Sequence, residues 1–237
     1  MNIVAAGVVF LLALFTGVAA YAAIPRFTYE SDENDGEGGA HQEPSSAPTL
    51  MDVIRERTQS QWLALGVLSL LCAVAAWRLA AAGVALLDLC RHIAVMLSLM
   101  AALLIDRKTH KIPNLLVLAL LGAGALLLLI EFLGDRAAGF SALLTGAAGL
   151  LCCVVLFYLL ARLTKDGIGM GDVKLIAAMG WLLGLATTLF SVLFALLLCS
   201  CTAIVLLFRK KKGKDDRIPF GPFLFFGHIC MLLLFTV

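Results

Sequence analysis

The run Val173-Lys174-Leu175-Ile176-Ala177-Ala178-Met179-Gly180-Trp181-Leu182-Leu183-Gly184, continuing to Phe208 without another charged residue, decides how this chain folds. As one helix at about 1.5 Å per residue it would reach about 54 Å. The hydrocarbon core of a bilayer is only about 30 Å thick. Gly180 and Gly184 are the weak points, because glycine tolerates the backbone angles that a break requires. The stretch therefore reads as two spans meeting near residues 184–188.

Other apolar runs cover 3–24, 61–82, about 86–105, 115–133, 139–161 and 218–237. Each is long enough, or nearly so, to cross a membrane as helix. Together they predict an all-α polytopic membrane helix bundle of about eight transmembrane helices. Composition agrees: 62% of the 237 residues are hydrophobic and 14% charged, where soluble domains carry about 25% charged residues. A net charge of +2 gives no reason to expect a nucleic-acid partner; the lipid bilayer is the surrounding partner. All seven cysteines lie in apolar runs, with no CxxC pair and no histidine at ligand spacing. They read as small buried side chains, so neither zinc, nor any other cofactor, nor disulfides are expected.

Basic residues beside the runs set the orientation. With Arg107, Lys108 and Lys111 cytoplasmic, Arg162, Lys165 and Lys174 are cytoplasmic too, and crossing 173–208 twice keeps the basic run 209–214 on that side. Both the N-terminus and the C-terminus are then outside. Three segments follow: 1–24 is the first transmembrane helix, 25–60 an acidic and largely disordered cytoplasmic segment, and 61–237 the membrane-embedded bundle. Near the turn joining 61–82 to 86–105, charges in a membrane tend to pair, which suggests Arg78 with Asp88. His92 reads as a packed histidine rather than a catalytic one.

Two carboxylates stand at the ends of spans: Asp106, closing Leu103-Leu104-Ile105, and Asp172, in Gly167-Ile168-Gly169-Met170-Gly171-Asp172-Val173-Lys174. Carboxylates at the edge of hydrocarbon are costly and read as functional. Two close carboxylates share a proton, so one activates water while the other donates a hydrogen bond to a carbonyl. That is the equipment for cutting a peptide bond without a metal or a nucleophile. Bare backbone at Gly167, Gly169 and Gly171 leaves room for an extended substrate chain. A positive φ at Gly171 is expected, making Gly171→Val damaging, whereas Gly180→Ala in the helix is expected to be mild. Lys174 is placed to orient Asp172 or the substrate, or serves only as a positive-inside lysine.

Three motifs occur in order: Asp106 with Ile112-Pro113-Asn114 after it, Gly167-x-Gly169-x-Gly171-Asp172-x-Lys174-Leu175, and Ile218-Pro219-Phe220-Gly221-Pro222-Phe223. With them the chain resembles, over roughly 85–237, the type IV prepilin peptidase family, bacterial members of the GxGD membrane aspartyl proteases. The resemblance implies an intramembrane aspartyl endopeptidase of the inner (cytoplasmic) membrane, with its active site facing the cytoplasm. It would remove the short basic leader from prepilin-like membrane substrates, after a glycine and before the hydrophobic helix. It implies Asp106 and Asp172 as the catalytic pair. Ile112, Pro113, Asn114, Gly167, Gly169, Gly171, Lys174, Pro219 and Gly221 then bind substrate or shape the site, and no metal is implied. The longer members carry a four-cysteine zinc module where the acidic segment stands here, so N-methylation of the new pilin terminus is left open.

Competing readings exist. A presenilin-like protease would show Tyr before the first aspartate and Pro-Ala-Leu late in the chain, where Ile105-Asp106 and Ile218-Pro219-Phe220 stand. A transporter using the two aspartates as a proton relay would show internal repeats and midplane charges. A non-catalytic pilus-assembly protein would tolerate loss of either aspartate.

Overall fold

The computed structural model describes Thr16 and residues 59–109, 112–163, 169–208 and 220–235. The expected first span, apart from Thr16, nearly all of the acidic segment, and the basic run 209–214 lie outside the described residues. Within them every element is helical: α1 (Gln59–Ala81), α2 (Leu86–Thr109), α3 (Asn114–Gly134), α4 (Arg136–Leu163), α5 (Met170–Phe208) and α6 (Gly221–Leu234).

Five of these, α1 to α5, are long and apolar enough to cross a membrane by length and composition. The sixth, expected as the span 218–237, has 14 described helical residues, fewer than a spanning helix needs. In α2, 61% of the apolar window is buried, against 11% in α3. The chemistry of the two helices explains this. α2 alternates Ala, Met and Ser with Leu and packs on all sides, whereas α3 turns Leu115, Leu118, Leu126, Leu129 and Leu133 outward. An apolar outer face of this kind is what lipid, rather than water, accommodates.

α5 breaks where its sequence is weakest. Gly184 has φ 76° and ψ 175°, non-helical angles in the left-handed half of the map that a Cβ would resist. The break falls at the start of the interval 184–188. Gly180, the other candidate, stays helical and has a different role. A Cβ there would stand 2.6 Å from the carbonyl oxygen of Gly149 on α4. The two helices touch backbone to backbone through this pair, as membrane helices do through small residues. Gly180→Ala is therefore not the mild substitution its helical setting suggested.

α6 seats on α5 through the same device and through a hydrogen bond. A Cβ on Gly227 would stand 2.6 Å from the Ser191 carbonyl, and the Ser191 hydroxyl meets His228 Nδ1 at 2.9 Å. His92 from α2 stacks on His228 with ring centroids 5.7 Å apart. Both histidines are buried, which places His92 in packing. At the start of α2, Asp88 pairs with Arg91 at 2.7 Å, and Arg91 also bonds Glu131 of α3. Asp88 thus takes the cation one helical turn ahead on its own helix, not Arg78.

Candidate active site

Asp106 sits in the last turns of α2 and is buried. The backbone N–H of Gly221, first residue of α6, donates to its Oδ2 at 2.9 Å. An ideal Cβ on residue 221 would stand 2.9 Å from that oxygen and 3.1 Å from the Asp106 Cβ. Only glycine lets the amide end of α6 come this close. The contact joins two motifs far apart in the chain and fixes the orientation of the Asp106 carboxylate.

Asp172 lies in the first turn of α5, whose opening backbone bond runs from Val173 N–H to the carbonyl of Gly169 at 3.2 Å. Its Oδ1 is buried and has no hydrogen-bond partner among the described residues. A buried carboxylate oxygen left unmatched is costly. Such an atom is suited to meet something that arrives, such as a water or a substrate carbonyl.

Both carboxylates line one cavity of about 320 Å³, together with Ile112, Asn114, Gly169, Met170, Gly171 and Lys174. The structure thus brings together at one end of α2 most of the residues the sequence singled out. Pro113 caps α3 with φ −65° and ψ 134°, turning the chain so that Asn114 faces this space. Gly167 and Pro219 lie outside the described residues. Met170 was not singled out. It sits between two glycines in a non-periodic stretch, so no hydrophobic pattern marks which way it turns.

Two expectations change in detail. Gly171 has no positive φ; among the described residues only Gly83 and Gly184 do. Gly171 lies instead in the first turn of α5, and its bare Cα is needed because a Cβ would come 3.1 Å from the Cβ of Ile112. Lys174 turns to the N-terminus of α3, where its Nζ donates to Asn114 Oδ1 at 2.9 Å. It ties the α3 and α5 entrances together across the cavity mouth.

Chemically the cavity offers two carboxylates, a cation, an amide side chain and open backbone, and among the described residues its lining holds no hydroxyl or thiol. Among the described residues no three His, Cys, Asp or Glu side chains gather as a metal ion would need.

Residues 93–204, which hold both aspartates and the glycine stretch, match the model of the type IV leader peptidase family. A prepilin leader peptidase/N-methyltransferase of Burkholderia pseudomallei is 35% identical over 142 residues, covering 59% of this chain and 44% of that protein. One from Aeromonas hydrophila with the same name is 34% identical over 127 residues, 53% of this chain and 43% of that one. One from Xanthomonas campestris is 38% identical over 84 residues, 35% of this chain and 29% of that one. The matched part thus spans less than half the length of these relatives. No solved structure matches the chain.

Proposed function

The chain belongs to the type IV leader peptidase family, and on that premise we propose that it is an intramembrane aspartyl endopeptidase acting through Asp106 and Asp172. Its substrates are type IV prepilin-like proteins, from which it removes the short basic leader at the cytoplasmic face of the inner membrane. The observation that carries this reading is the shared cavity. Two acidic residues from different helices open onto one small space beside the glycine stretch.

The chemistry follows from that arrangement. A water between the carboxylates loses a proton to one of them as its oxygen attacks the scissile carbonyl. The other, carrying the shared proton, hydrogen-bonds the carbonyl oxygen and supports the tetrahedral intermediate. Collapse breaks the C–N bond as the amine leaving group takes up a proton from the pair, which returns the dyad to its singly protonated state. The pair titrates as a unit. The Gly221 amide holds Asp106 in register with this sequence of steps. The Lys174–Asn114 bond holds the cavity mouth, and Gly169 and Gly171 keep side chains out of the path of an unwound substrate segment.

The test is cleavage of an epitope-tagged prepilin by the purified protein in liposomes, with the cut mapped by mass spectrometry. A single cut after the leader's glycine supports the reading. An intact substrate beside folded protein contradicts it.

A further inference from the structure

A second cavity, of about 370 Å³, lies toward the other end of α2, around the break in α5. Its charged lining is Asp88, Arg91 and Glu131, with His92, Trp181 and Gly184 among its other walls. None of these residues takes part in the peptidase chemistry above. Irregular backbone at membrane depth is tolerated where protein buries it or where it lines a polar cavity, and Gly184 lines this one.

The electrostatics have a sign. Arg91 donates to Asp88 Oδ1 and to Glu131 Oε2, so one cation faces two carboxylates and one negative charge is left over. Each carboxylate spends a single oxygen on Arg91. His92 is 5% exposed, and its Nδ1 has no hydrogen-bond partner among the described residues. A buried polar atom without a partner is unfavourable unless something supplies one. The side chain of Asp88 is 49% exposed, and Asp88 stands in the first turn of a helix of membrane-spanning length, the end at which such helices meet lipid headgroups.

We propose that this cavity binds a primary ammonium group, of the kind an aminophospholipid headgroup carries. An ammonium has three donors and no acceptor. Three acceptors stand on residues that line the cavity: the second oxygens of Asp88 and Glu131, and the unpartnered His92 Nδ1. The ammonium cancels the excess charge, and the wall includes Trp181, an indole, the side chain that attracts cations best. An anion would face that excess charge with Arg91 already engaged, and a quaternary ammonium has no N–H to give.

The experiment uses the full chain with Trp62→Phe and Trp77→Phe, which leaves Trp181 as the reporter. In phosphatidylcholine nanodiscs, replacing part of the lipid with phosphatidylethanolamine should shift Trp181 emission saturably, whereas phosphatidylglycerol should not. Glu131→Gln keeps an acceptor for Arg91 but removes the charge, and should raise the half-saturation point about tenfold or more. Free ethanolamine is the second arm. A saturable response to it as well means that the ammonium alone is recognised, while a response only to the lipid makes the lipid headgroup the ligand. No response to either, an equal response to phosphatidylglycerol, or an unchanged half-saturation point in folded Glu131→Gln overturns the proposal. Leader cleavage in the same samples reports the aspartate cavity separately, so the two readings fail independently.

Discussion

Replacing Gly221 with alanine tests whether the amide end of α6 positions Asp106. The added Cβ would stand 2.9 Å from Asp106 Oδ2 and 3.1 Å from its Cβ, where ordinary contact begins at 3.4 Å. The backbone of α6 is pinned at Gly227 and by the Ser191–His228 bond, so the carboxylate, a short rotatable group, gives way. It must move by about half an ångström. A misplacement of about 1 Å in a catalytic group costs about 100-fold, so about tenfold in kcat is the expected loss. Stability should fall by no more than about 1–3 kcal/mol, the cost of loosening one buried amide–carboxylate bond. The assay is steady-state cleavage of a prepilin substrate beside thermal unfolding in the same detergent. A wild-type kcat for folded Gly221→Ala would refute the positioning role. So would a loss of rate that merely tracks a loss of folded protein.

Other outcomes follow from the same geometry. Gly180→Ala should destabilise the fold by about 1–3 kcal/mol, because its Cβ would meet the Gly149 backbone, which cannot rotate aside; a lowered unfolding temperature checks this. Gly171→Ala should instead leave stability nearly intact and lower activity by displacing Ile112 at the cavity wall, read as a fall in kcat/KM. Lys174→Met should cost under about 1 kcal/mol of stability, since the Lys174–Asn114 bond is exposed. It should slow cleavage several-fold, while Lys174→Gln, which keeps a donor, should retain more activity. Cysteine labelling should find residues 40, 106–112 and 209–217 on the cytoplasmic side; Lys111 and Lys211 on opposite faces would overturn two crossings in 173–208.

The sequence carried the class of fold and the identity of the cavity-forming residues because both rest on strong local chemistry. Uncharged runs of membrane length leave few alternatives to helix, and a carboxylate at the edge of such a run is too costly to be incidental. The break in α5 was legible for a similar reason, since its length exceeds a bilayer and Gly184 is where backbone can turn. What escaped was pairwise geometry. Gly180 and Gly184 look alike along the chain, yet one breaks the helix while the other admits the Gly149 backbone of α4. Arg91 stands three residues after Asp88 and Arg78 ten before it, and helical spacing gave the bond to Arg91. Lys174 found Asn114 rather than Asp172 because α3 and α5 begin side by side at the cavity mouth. The second polar cavity left no mark, since its walls come from four helices, three to five residues from each.

Asp106→Asn and Asp172→Asn, each reconstituted in liposomes with a tagged prepilin, test the dyad most directly. Each substitution preserves shape and hydrogen bonding and removes only the exchangeable carboxyl proton and charge. Leader removal should fall by about 100-fold or more in both, with insertion and unfolding temperature close to those of the unaltered protein. Retention of most of the cleavage rate by either variant would contradict the account.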